Sequence, residues 1–340
     1  MPICDEEGCD VLATGKCVNK MELDVCPHYS EEDGDNLLKD SHEEQETVIN
    51  EVTVSDDTVD VFDGKALSVT DVDRITNNAI TRFVILAGMP AAGKTTLLLS
   101  LMHIFSTNPG FGNYLFAGSE TLLDFEEKSH KSKIDSGNAE EDTGRTPIGL
   151  IKFLHLKVAN MIENGRLTDL VFTDISGEDF RALKDSTEEC RKFTMGQRAD
   201  HFSLFFDMLK LSCIKDRGGA KVAGFGIIRS LIEAGILLPH SRIQIIFSRW
   251  DLNNAEFKAE TDEFIDLIKS DMQTQFGAEY EISFYEIAAR PKGVEFLFGH
   301  GIDQLLPVWV EGSILNNEKV KNRVHATHFD VKRQYLRFEY

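Results

Sequence analysis

The segment Gly88-Met89-Pro90-Ala91-Ala92-Gly93-Lys94-Thr95 constrains this chain more than any other. Before it stands a short apolar run, residues 83–87, which has the length and bounds of a buried strand. After it, residues 93–105 carry the pattern of a helix. Strand, glycine-bounded loop and helix in that order curl the backbone so that successive N–H groups point inward at an anion. The positive end of the helix dipole lies behind them. A phosphate chain is the ligand such a loop takes, with Lys94 reaching the outer phosphates, the Thr95 hydroxyl ligating Mg2+ and Thr96 following in the first turn.

The surrounding pattern predicts an α/β fold. Residues 114–117 read as an edge strand, and residues 120–130 as an amphipathic helix capped by Ser119. Residues 131–147 are polar, with Gly137 and Gly144, and predict a loop. Residues 153–158 and 169–174 read as a strand pair, and 201–206, 243–247 and 282–287 as further strands. Helices are expected over 222–234, 257–276 and 302–310. Such alternation implies a mostly parallel sheet with helices on both faces.

The ends of the later strands carry further chemistry. One runs into Thr173-Asp174-Ile175-Ser176-Gly177-Glu178. There Asp174 can hold the Mg2+ shell, and Gly177 lets a backbone N–H approach a terminal phosphate. Glu178 can orient or deprotonate an attacking water, or favour a helix start through the dipole. The next strand ends in Ser248-Arg249-Trp250-Asp251. Guanine offers N1–H and an exocyclic amine, two donors that one carboxylate accepts together, and adenine has no such pair. Asp251 is therefore the expected base reader, with Arg249 along the base. After the last strand, the N–H of Ala289 in Ile287-Ala288-Ala289-Arg290 is placed to meet guanine O6. In the polar loop, Thr146 or Thr143 can complete the Mg2+ and phosphate shell, and Arg145 can neutralise transition-state charge in cis.

These elements resemble, in kind and order, those of TRAFAC-class P-loop GTPases. More narrowly, the chain resembles the bacterial double-GTPase-type domains over roughly residues 81–310. The residues that carry this are 91–95, Arg145-Thr146, the Asp174–Glu178 switch, Phe116-Ala117-Gly118-Ser119 and Phe125. The departures are Ser248 and Arg249, where the base-reading motif of GTPases has Asn or Thr and then Lys. The resemblance implies a GTP-hydrolysing switch of conflict, defence or regulatory systems. GTP and GDP are its ligands, a protein effector its output, and a nucleotide-dependent oligomer a further state. A scaffold with negligible turnover, or a P-loop ATPase or kinase, are the alternatives.

Charge divides the chain. Of the net −21, residues 1–73 account for −17, and the remainder is nearly balanced. That field argues against nonspecific nucleic-acid binding. No apolar run approaches the ~18 residues of a membrane helix, so a cytoplasmic, membrane-free protein is expected. Cys4, Cys9, Cys17 and Cys26 crowd the N-terminus, with His28 beside the last. Four thiolates, or three with His28, suit a structural Zn2+ in a unit too small for its own core. Cys190 and Cys213 fall on apolar faces and are expected in the core. The organisation predicted is a zinc-binding unit over 1–30, an acidic linker over 31–75, a GTPase domain over 76–312 and an extension over 313–340. A polar hairpin at 47–54 and a last strand or docked tail at 331–340 are further expectations.

Overall fold

A computed structural model describes residues 2–4, 16–17, 26, 29–31, 62–108, 110–131, 151–253 and 258–311. The chain divides into two compact units, Met1–Val59 and Asp60–Tyr340. In the first, β1 (Pro2–Cys4) pairs antiparallel with β2 (Tyr29–Glu31). The side chains of Cys17 and Cys26 are buried. The 47–54 and 331–340 expectations lie outside the described residues.

The second unit begins earlier than the sequence predicts. Within the expected 31–75 linker lies α1 (Val69–Thr76), closed by a capping box in which Ser68 and Asp71 exchange hydrogen bonds. Its Val72 and Ile75, three apart, are buried in the core. The chain continues through β3 (Thr81–Gly88), α2 (Lys94–Thr107), β4 (Gly110–Phe111), β5 (Tyr114–Gly118) and α3 (Leu122–Lys131). It resumes with β6 (Lys152–Asn160), β7 (Arg166–Asp174), α4 (Gly177–Asp185), α5 (Thr187–Lys192) and β8 (His201–Asp207). The last elements are α6 (Met208–Leu211), α7 (Ile214–Glu233), β9 (Arg242–Ser248), α8 (Lys258–Phe276), β10 (Ile282–Ile287) and α9 (Ile302–Val310).

One eight-stranded sheet runs β10-β9-β8-β3-β7-β6-β5-β4. From β10 to β7 the neighbours are parallel, and from β7 to β4 antiparallel. Strand alternation divides β3 between two cores. Phe83, Ile85 and Ala87 pack with α1, α4, α7 and α8, while Val84 and Leu86 pack with α2, α3 and α9. Helices therefore cover both faces, as an apolar parallel sheet requires. Trp309 of α9 is fully buried, stands edge-on to Phe172 of β7, and donates its indole N–H to Ser203 Oγ at 3.0 Å.

Local expectations change at Ser119 and Cys213, and the helix expected over 222–234 already begins at Ile214. The helix expected behind Ser119 starts at Leu122 instead. Ser119 Oγ accepts the Thr121 N–H at 3.0 Å and donates to the His155 carbonyl, so it serves the junction to β6 and does not cap the helix. Cys213 is half-buried at the start of α7, whereas Cys190 is fully buried. The Cys190 thiol donates to the Leu183 carbonyl, and burial pushes its pKa up to about 11.

Candidate nucleotide site

Because β7, β3, β8, β9 and β10 are parallel, their carboxyl ends share one edge. The chain passes from β3 to neighbours on either side, which makes this edge a topological switch point, where open α/β sheets bind ligands. Gly88, Asp174, Asp207, Ser248 and Ile287 end these strands.

The phosphate loop leaves β3 at Gly88 (φ 152°) and turns into α2 through Gly93 in the left-handed region (φ 84°). Ala91 also has positive φ (60°), a strained choice for a residue with a Cβ. Ala92 is buried, and its carbonyl accepts the Ser248 hydroxyl at 2.8 Å. The Lys94 ammonium donates to the Gly88 carbonyl at 3.0 Å and lies 5.8 Å from the Phe180 ring centroid. Burial pushes its pKa down to about 8, against the pull of Asp174 and Glu178. An ammonium in that position gains from a phosphate chain the anionic partner its burial disfavours doing without.

The switch segment is pressed onto this loop. A Cβ added to Gly177 would sit 2.3 Å from Pro90 N and 2.6 Å from the Met89 carbonyl carbon, so only glycine fits. Ser176 caps α4, accepting from the Asp179 N–H at 3.1 Å, and Glu178 lies in its first turn. Asp174, at the end of β7, is 8% exposed and forms an ion pair at 2.7 Å with Lys128 of α3. Lys128 also binds Asp124 of its own helix. Burial opposes the Lys128 charge, but attraction to Asp174 and the bonds to both carboxylates outweigh it and hold the ammonium above its ordinary pKa.

Beyond the end of β9, Asp251 lies in the short turn Trp250–Leu252, and its Oδ2 accepts the Lys292 N–H at 2.8 Å. Arg249 is in the left-handed region (φ 55°). Its Nη2 donates to the Ala91 carbonyl and to Asp207 Oδ2, the latter at 2.6 Å. Its guanidinium thereby ties the turn that carries Asp251 to the loop at Ala91 and to the end of β8. Burial raises the Asp207 pKa while Arg249 lowers it, and burial is the larger effect. Ala289 is half-buried after β10, its carbonyl accepting the Gly299 N–H.

The structure thus brings Gly88–Thr95, Thr96, Asp174, Gly177, Glu178, Ser248, Arg249, Asp251 and Ala289 to one edge. Arg145, Thr146 and Thr143 lie outside the described residues. The Thr95 hydroxyl and Asp174 carboxylate are hard oxygen donors, a set that suits Mg2+. Among the zinc candidates, Cys9 and His28 lie outside the described residues. Among the described residues no group of three or more His, Cys, Asp or Glu could hold a metal. No described helix is long and apolar enough to cross a membrane. Sequence inspection missed two groups at the site. Asp207 has a visible signal, a carboxylate closing an apolar strand. Lys128 has none, being 46 residues from the carboxylate it meets.

Comparison with known proteins sets this geometry in a family. The chain matches no curated protein. It is similar to the signal recognition particle receptor SRb-GTP/SRX complex from Chaetomium thermophilum, at 14% identity over 67% of this chain and 96% of that one, TM-score 0.37. It is also similar to a bacterial selenocysteine-specific elongation factor, EF-Sec, at 12% identity over 67% and 28%, TM-score 0.36. A third is the GDP-bound Roco2 RocCORdC of Methanosarcina barkeri, at 15% identity over 69% and 51%, TM-score 0.37. The chain spans about half of that third structure and less of the second. Membership is decided by a family model, Double-GTPase 2, which matches residues 82–310, more than half of the chain. With its glycine-bounded loop at 88–95, the Asp174-x-x-Gly177 segment and the Asp251 turn at one sheet edge, the chain belongs to the Double-GTPase 2 family.

Proposed function

We propose that the protein binds GTP with Mg2+ and hydrolyses it slowly, as a switch read by a protein effector. The observation that carries this is the contact between Gly177 and the Met89–Pro90 backbone, too close for any side chain. It supports a switch segment that feels whether a terminal phosphate occupies the loop. Lys94 and the loop N–H groups hold the phosphates, while Thr95 and Asp174, with Thr146, hold the metal. Mg2+ would neutralise charge on the outer phosphates. Glu178 orients the attacking water, Arg145 neutralises developing charge, and catalysis is mainly positioning and electrostatics. Ser248 and Arg249 brace the loop, Asp251 reads the base, and Ala289 offers its N–H to guanine O6.

One feature favours the scaffold alternative. A carboxylate at Glu178 repels the terminal phosphate, which slows unassisted turnover. Phosphate release from saturating GTP and Mg2+ is expected at a measurable, slow rate, with ATP giving none. Release no faster than from Lys94→Ala protein, with GTP still bound, would replace the hydrolase by a nucleotide-dependent scaffold. ATP turnover equal to GTP turnover would favour the ATPase or kinase alternative.

The effector, an oligomer formed with nucleotide, and a role in bacterial conflict, defence or regulation are proposed with this function on the family resemblance. For the first unit the proposal is a structural Zn2+ held by Cys4, Cys9, Cys17 and Cys26, with His28 as the alternate ligand. Burial of Cys17 and Cys26 supports it. Elemental analysis of protein purified without chelator is expected to find about one zinc per chain, and finding none sinks the zinc unit.

A further inference from the structure

Lys128 is held where it is by more than its own flexibility. The α3 helix that carries it is anchored at its start by a buried hydrogen-bond cluster. His155 Nδ1 accepts the Glu120 N–H at 2.9 Å, so Nε2 carries the proton and donates to Asp169 Oδ1 at 2.7 Å. Thr121 Oγ1 accepts the His155 N–H at 2.9 Å. One turn on, the Asp124 N–H donates to the Gly64 carbonyl at 3.0 Å, and Phe125 is buried in the core. From this fixed platform the Lys128 ammonium reaches 2.7 Å from Asp174 Oδ2, with only 18% of its side chain exposed. Its second partner, Asp124, is the i,i+4 neighbour on the same helix.

We propose that Lys128 is an internal competitor for Asp174, and that its ammonium must move to Asp124 alone before the Asp174 carboxylate serves a divalent cation. This rests on the assignment of Asp174 to the Mg2+ shell. An ammonium at hydrogen-bond distance from a carboxylate and a divalent cation drawn to that same carboxylate repel each other in a partly desolvated site. Asp124 makes the displacement feasible, because it keeps the released ammonium paired without breaking the helix. The pair of carboxylates thus gives one lysine two berths. The consequence is a nucleotide site whose retention of GDP is unusually demanding of Mg2+. A helix before the switch, with no place in the phosphate loop, sets that demand.

The test is a Mg2+ titration, from chelator upward, of a fluorescent GDP analogue bound to the full-length protein. Lys128→Met keeps the apolar stem and removes the charge. The Mg2+ concentration for half-maximal retention is expected to fall about fivefold, the upper end for an ion pair that keeps some exposure. Lys128→Arg, which keeps the charge, is expected to stay near wild type, and thermal melts check that both variants fold. In an Asp174→Asn background, Lys128→Met is expected to add no shift, because the contested carboxylate is gone. An unchanged or raised half-point in Lys128→Met overturns the proposal. So does a shift that persists in Asp174→Asn, which would make Lys128 a distant charge only. Failure of wild type to bind GDP at any Mg2+ concentration is a separate result: it overturns the GTPase function and the competition with it.

Discussion

Lys94→Ala protein is expected to lose GTP binding by at least about a hundredfold while remaining folded. The loss follows from charge-assisted hydrogen bonds, each worth roughly 1.5–3 kcal/mol, which on the proposed function the ammonium would make to more than one phosphate oxygen. Preservation of the fold follows from the surroundings of Lys94. Among the described residues the side chain donates to the Gly88 carbonyl, and its charge is disfavoured by burial, which draws its pKa to about 8. Removing it relieves a desolvation cost and leaves the loop braced by Ser248 and Arg249. Titration calorimetry with GTP and a thermal melt measure the two halves. Equal affinity in mutant and wild type would remove Lys94 from the phosphate site. A collapsed melting temperature would make it structural.

Asp251→Asn is expected to turn preference from GTP toward xanthosine triphosphate. On the proposed function the wild-type carboxylate would accept from guanine N1–H and the 2-amino group, and adenine supplies neither donor. Losing both partners at roughly 1.5–3 kcal/mol each gives discrimination of about a hundredfold or more. The bond from the Lys292 N–H to Oδ2 bears directly on the mutant. That N–H needs an acceptor, so it selects the rotamer in which the Asn oxygen takes the old Oδ2 place. The amide NH2 then replaces the other oxygen, where it meets the extra carbonyl of xanthine. Competition of ATP, GTP and xanthosine triphosphate for a labelled nucleotide, on both variants, measures the change. Wild-type binding of ATP as tight as GTP means that Asp251 does not read the base.

These two residues also show why parts of the site are legible in sequence. Lys94 belongs to an eight-residue loop whose strand, turn and helix are contiguous, so each local preference points to the same geometry. Asp251 stands three residues past a buried apolar strand, and parallel strands bring such ends to a common edge. Ile302–Val310 is foreseen at its observed bounds because α9 carries a continuous apolar pattern behind Gly301, whose φ is 81°. By contrast, α1 hides in an acidic stretch. Its buried face is only Val72 and Ile75, too little apolar pattern to stand out, although the capping residues Ser68 and Asp71 were present as a signal.

The sequence by itself determined the α/β class, the strand–loop–helix at 83–105 and the strand ends that carry Asp174 and Asp251. Each is local in the chain or follows from periodicity. Only the tertiary structure decided that β3 lies between β7 and β8, that Gly177 touches Pro90, that Arg249 spans from Asp207 to Ala91, and that Lys128 meets Asp174. These contacts join residues 42 to 158 positions apart. Apart from the strand order, these contacts are made by charged side chains, by a glycine or by backbone, which leave no hydrophobic period to read. Their meeting depends on which strands become neighbours and where a helix docks, and that is settled by packing the whole sheet.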